Sequence, residues 1–144
     1  MIIDNFQFVD LGLPSGKLWA TENVKSENGN EAHYTFDEAV ETFGKNLPSK
    51  EDWKELFDNS ACNWNKERKG YDVVGPNGNS IFLPAAGDRN FAGVYNVGRC
   101  GFYWSLSVFD TRRAYSVTFG FDEGCLYPTD VSFCFNEFSV RLVR

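Results

Sequence analysis

The side chains able to do chemistry are few. His33 is the single histidine, four cysteines stand at positions 62, 100, 125 and 134, and acidic neighbours occur as Glu51-Asp52 and Asp122-Glu123. No Ser or Cys in a recognisable nucleophile motif accompanies His33, so a satisfied or exposed histidine is expected there instead of a general base. The cysteines include no Cys-x-x-Cys pair, the usual spacing of a structural zinc site. Their spacing selects none of the three possible pairings, and free thiols are the expectation for most of them. Glu51-Asp52 reads as a helix N-terminus and Asp122-Glu123 as a loop. Calcium takes six to eight oxygens, and Asp88, Asn90, Asp110, Asp122 and Asp130 are too scattered to supply them. Catalysis, a metal and a cofactor are therefore not expected.

What remains is recognition, and the composition of the two halves bears on it. The lysines are at positions 17, 25, 45, 50, 54, 66 and 69, with none afterwards. Arginine runs the other way: Arg68 is followed by Arg89, Arg99, Arg112, Arg113, Arg141 and Arg144. Most of the 14 phenylalanines also lie beyond Gly70. Strands enrich aromatics and deplete lysine, which accounts for the phenylalanines. It accounts poorly for a lysine-free half, because solvent faces of strands usually carry some lysine. The alternative is a binding surface, where aromatics and arginine carry the energy and lysine is depleted. Composition alone leaves both readings open.

The bulk properties narrow the partners. The chain has 144 residues, enough for one domain with a sizeable core. Its formal net charge of −6 argues against a nucleic-acid backbone and against an anionic membrane surface. No apolar run approaches the ~20 residues of a spanning helix. The opening MIIDNFQFVD lacks the basic and apolar regions of a signal peptide.

The elements that must position the candidate residues can be read in order. FVDLGLPSGKLWAT carries turn chemistry at Pro14-Ser15-Gly16 and predicts a hairpin or bent pair of strands. Residues 24–33 read as a polar loop. Thr35 with Glu38 three residues on fits a capping box, Ala39, Val40 and Phe43 share a face, and Gly44 is placed to end the helix. Ser49 caps KEDWKELF, in which Trp53, Leu56 and Phe57 fall on one face. Both aromatic faces are expected in the core. Asn77-Gly78 marks a hairpin between YDVVG and SIFLPAA. Further strands are predicted over 102–107, 114–119 and 138–143. The class is α+β, two helices early and then a largely antiparallel sheet.

Five segments, FVDLGLPSGKLWAT, NLPSKEDWKELFDN, GPNGNSIFLPAAGDRN, GFYWSLS and FSVRLVR, occur in this order over nearly the whole chain. Together they resemble the Fibrobacter succinogenes major paralogous domain, a family common in gut Bacteroidetes. The resemblance implies a C-type-lectin-like fold related to the formylglycine-generating group, with first and last strands paired, here 9–13 with 139–143. It divides the single domain into a scaffold with two helices (1–87), a variable ligand-binding region (88–136) and a closing strand (137–144). Some members are variable proteins of diversity-generating retroelements, in which template adenines are randomised to create new binding surfaces. An extracellular, cell-surface or virion location follows from the same resemblance. Two positions depart from the family pattern: Glu22 stands where a cysteine is common, and Leu142 replaces a proline.

That resemblance accounts for the composition. Randomising the adenines of an AAC codon yields Phe, Tyr, Ser, Asp, Arg, Cys, Gly, Val or Thr but not Lys, Glu, Gln, Met or Trp. Residues 88–135 contain no Lys, Gln or Met, with Glu123 the one Glu and Trp104 the one Trp. The implied site binds a protein or glycan. Its residues are Asp88, Phe91, Tyr95, Arg99, Phe102, Ser107, Phe109, Asp110, Arg112, Arg113, Ser116, Thr118, Tyr127 and Asp130. Tyr, Phe and Arg would supply contact area, and Ser and Asp adaptable hydrogen bonds. Phe119 and Phe138 are expected in the core. Phe102 stays open between core and surface, because strand alternation opposes it to Tyr103. The family pattern puts Arg112 and Arg113 in a loop. Sugar-binding C-type lectins carry Glu-Pro-Asn or Gln-Pro-Asn and a later Trp-Asn-Asp, and neither occurs here. A fixed-specificity adhesin or glycan-binding module is the alternative. A formylglycine-type oxidase would need Cys125 and Cys134 as its redox pair.

Overall fold

A computed structural model describes residues 3–120 and 126–144. The fold is mixed α+β, with two α-helices and four small antiparallel sheets among these residues. The first hairpin pairs β1 (Phe8–Asp10) with β2 (Leu18–Ala20). Its turn closes where the Gly16 amide donates to the Leu13 carbonyl (3.0 Å).

The chain ends meet, but in a different pairing from the expected 9–13 with 139–143. The C-terminal segment runs along β2: Leu18 and Arg144 exchange backbone hydrogen bonds of 2.9 Å, and the Ala20 amide donates to the Leu142 carbonyl. Competition for the backbone of residues 10–12 explains the change. The Asp10 carbonyl accepts from the side-chain amides of Asn77 and Asn79, and the Leu11 carbonyl accepts from the Asn77 amide. The closing segment also forms no continuous strand. It changes partner along its length, from Arg89 at Glu137 to Tyr34 at Phe138, Tyr103 at Ser139 and Trp19 at Val143.

Both helices start where the capping residues predict. In α1 (Phe36–Phe43), Thr35 Oγ1 accepts from the Glu38 amide while Glu38 Oε1 accepts from the Thr35 amide, and Gly44 ends the helix. In α2 (Lys50–Asn59), Ser49 and Asp52 form the same reciprocal pair at 3.0 Å. Lys17 reaches Asp52 at 2.9 Å and ties the first hairpin to this helix.

Strands β3 (Ala61–Asn65), β4 (Gly70–Val74) and β5 (Ser80–Pro84) form one sheet, and the expected Asn-Gly turn joins β4 to β5. A short hairpin, β6 (Asp88–Asn90) with β7 (Gly93–Tyr95), follows. The last sheet has the order β10-β9-β8, from β8 (Cys100–Val108), β9 (Arg113–Gly120) and β10 (Leu126–Phe133).

This last sheet is covered on both faces, which is why Tyr103 and its neighbour Trp104 are both fully buried. Tyr103, Val117 and Phe119 join a core with Trp19, Trp53, Leu56 and Leu83, and the Trp53 ring of α2 lies 5.6 Å from Tyr103. Trp104 and Ala114 face the other way, onto Phe36 and Phe43 of α1 and onto Phe138, Val140 and Leu142. Gly101 has to be glycine because the Phe119 ring crosses its backbone, and a Cβ would sit 2.1 Å from that ring.

Candidate functional site

The expected site residues fall into separate groups. The β6–β7 hairpin carries Phe91 at its tip, fully exposed, and Tyr95, also exposed. Asp88 sits at the base, where its carboxylate accepts from the Asn96 side-chain amide at 3.0 Å. Val94 and Val97 add exposed apolar surface beside them.

A second group lies where β8 turns into β9. The Asp110 carboxylate accepts from the amides of Arg112 and Arg113 and, in two-point fashion, from the Arg113 guanidinium. These donors, Arg113 first, hold the Asp110 carboxyl below its usual range. The guanidinium also lies over the Phe109 ring at 4.8 Å. Arg113 is thus the first residue of β9 and a fixed brace, while Arg112 stays exposed in the turn. Opposite Arg113, β10 ends at Phe133, whose ring stacks on Phe135 at 5.5 Å. Both rings are exposed, Phe135 by 74%. With Arg112, Thr35, Asp37 and Cys134 they line an open hollow of about 520 Å³.

The third group lies on the sheet face that carries Trp104. Directly paired residues of antiparallel strands share a face, so Phe102, Thr118 and Tyr127 form a row, as do Trp104, Ser116 and Asp130. Tyr127 and Asp130 are exposed. Phe102 is half-buried and stacks on Phe138 at 5.0 Å, which makes it a rim residue.

Two expectations are corrected here. Ser116 is fully buried and shares a hydrogen bond with Ser132, and Thr118 is buried and donates to Asp130 at 2.8 Å. The Ser107 hydroxyl accepts from the Lys50 amide at the start of α2. Neighbouring strands enclose Ser116 and Thr118, whereas Ser107 is half-buried and engaged by the start of α2. Arg141, one of the arginines of the lysine-free half but not a candidate site residue, is internal at 1% exposure. Phe133 and Phe135 were missed, although the Phe-Cys-Phe spacing could have placed both on one side of a strand.

The remaining chemistry is sparse. His33 Nε2 lies 2.9 Å from the Ala86 carbonyl. Cys62, Cys100 and Cys134 are free thiols. Burial pushes the Cys62 thiol up to about 11 and raises those of Cys100 and Cys134 as well, the opposite of what activates a thiol. Cys125, its pairing with Cys134, and Asp122-Glu123 lie outside the described residues. Among the described residues no cluster of three or more His, Cys, Asp or Glu side chains could hold a metal ion, and no helix is long and apolar enough to cross a membrane. No family model, curated protein or solved structure matches the chain.

Proposed function

We propose that the chain is a non-catalytic recognition module of C-type-lectin-like fold. It binds a protein or glycan through its C-terminal half, outside the cell or on a cell or virion surface, and a retroelement diversifies its coding segment. One observation carries this reading. Every large apolar side chain that stands exposed among the described residues lies between positions 91 and 135: Phe91, Val94, Tyr95, Val97, Val108, Phe109, Tyr127, Phe133 and Phe135. The concentration of solvent-facing apolar side chains in this one segment, in the groups described above, supports an interaction surface there. They sit on hairpins and strand ends fixed by a core that they do not help to build. The meeting of the chain ends at β2 and the helices on opposite faces of the last sheet support the fold assignment.

The genome carries the first test. A near-copy of the segment encoding residues 88–135, differing at template adenines and lying beside a reverse-transcriptase gene, is the expected finding. Its absence removes diversification and leaves recognition standing. The alternative, a binding module of fixed specificity, is favoured by mutual dependence inside the segment: Asp110 with Arg113, Ser116 with Ser132, Thr118 with Asp130. Saturable binding on a glycan array supports that alternative. A flat array together with a protein captured in pull-downs counts against it.

A further inference from the structure

Another hollow, of about 380 Å³, opens between the β3–β4 turn and the turn that leads from β7 into β8. Trp64, Lys66, Lys69, Gly98 and Arg99 line it. Three of the five are cations, and none of the described residues lining it is acidic, in a chain whose net charge is −6.

The two turns are held together by backbone. Ala85 donates to the Lys69 carbonyl at 3.0 Å and accepts from the Gly98 amide at 2.7 Å. Each turn is also closed on itself: Asn65 Oδ1 accepts from the Glu67 and Arg68 amides, and the Asn96 carbonyl accepts from the Arg99 and Cys100 amides. Lys69 adopts a φ of +59°, a left-handed conformation that is unfavourable for a non-glycine residue. Its stem lies against Gly98, where a Cβ would come within 3.1 Å of Lys69 Cδ. The missing side chain at Gly98 therefore leaves the notch in which that stem lies. Strain at one cation and a notch at its neighbour, on two turns fixed to each other, are features of a preorganised site.

We propose that this hollow binds an acidic glycan, with carboxylate or sulfate groups on Lys66 and Lys69, Arg99 adding positive charge at the rim, and a sugar ring against Trp64. Cations take such oxyanions through charge-assisted hydrogen bonds. The negative π-face of an indole attracts the weakly positive C–H groups of a pyranose ring. Trp64 is half-buried and held edge-on by Tyr71 at 5.4 Å, so its position is set before any ligand arrives. An acidic peptide without aromatic residues would use the cations and leave the indole without a ring to stack on. A nucleic-acid backbone needs a basic stripe that an acidic chain does not offer. Trp64, Lys66 and Lys69 belong to the first half of the chain and only Arg99 is shared with the segment proposed above for recognition, so the proposal does not depend on the exposed aromatics of that segment.

Titration calorimetry of the full chain in low salt tests it, with a galacturonate hexamer, a heparin hexasaccharide, maltohexaose and polyglutamate as probes. At least one of the two acidic glycans is expected to bind, maltohexaose is not, and binding should weaken as salt rises. Trp19, Trp53 and Trp104 are fully buried, so acrylamide quenching reports chiefly on Trp64, and a bound glycan should shield it. K69G removes the ammonium at a φ that glycine adopts freely; affinity should fall about tenfold with the melting temperature unchanged or raised. K66Q should weaken binding as well. The proposal is overturned if neither acidic glycan binds, if K69G and K66Q bind as well as the parent, or if polyglutamate binds as tightly as the glycans.

Discussion

Arg141 donates to three neutral acceptors, Asn23 Oδ1 and the carbonyls of Ala20 and Phe82. Asn23 in turn donates to Glu31 and to the Tyr103 hydroxyl, which donates to the Pro84 carbonyl. This network stitches the first hairpin to β5 and the last sheet. Arg141→Met leaves those acceptors buried without donors, and urea unfolding should show a loss of about 3 kcal/mol. Arg141→Lys should rescue little of it, because an ammonium cannot reproduce the planar fork. Asp110 gives a pH signature at the same scale. Its carboxyl is lowered mainly by Arg113, so the folded state takes up this proton less readily than the unfolded chain. The brace contributes fully above the ordinary Asp value and is lost as pH falls through the depressed one. NMR titration should place the Asp110 midpoint below that of a free Asp, and Arg113→Gln should move it back up.

Among the elements, the helices and the Asn-Gly hairpin were legible because their signals are local: a cap and its partner three residues on, or a turn dipeptide. Ser49→Ala should cost about 1 kcal/mol in thermal or urea unfolding, the usual worth of such a cap. Strand β10 was not legible. Its sequence LYPTDVSF holds a proline, and the structure accommodates Pro128 in a register shift between Tyr127 and Asp130 on an edge strand. Strand β3 and the β6–β7 hairpin were missed as well. β3 pairs with β4 across a turn clamped by Asn65, and no strong turn dipeptide announces that clamp.

For the whole molecule, the frame and the displayed residues should respond differently to substitution. Replacing Phe91, Phe133 and Phe135 together by serine is expected to change stability by no more than about 1 kcal/mol, since exposed sites contribute little. Trp104→Ala, inside the second core cluster, should cost about 3–5 kcal/mol. Calorimetric melting of the two variants checks this; comparable losses would mean that the exposed rings are part of the frame.

The sequence alone determined the class, both helices with their caps, the Asn77-Gly78 hairpin and the core role of Phe119 and Phe138. Each depends on neighbours close in the chain or on composition. Tertiary structure decided which side chains of the C-terminal half face outward. Ser107, Ser116 and Thr118 lie inward or are engaged because α2, Ser132 and Asp130 meet them across the fold. Arg141 is enclosed by carbonyls of β2 and β5 that lie far from it in sequence. Burial of a strand residue depends on what covers its face, and that covering comes from distant parts of the chain.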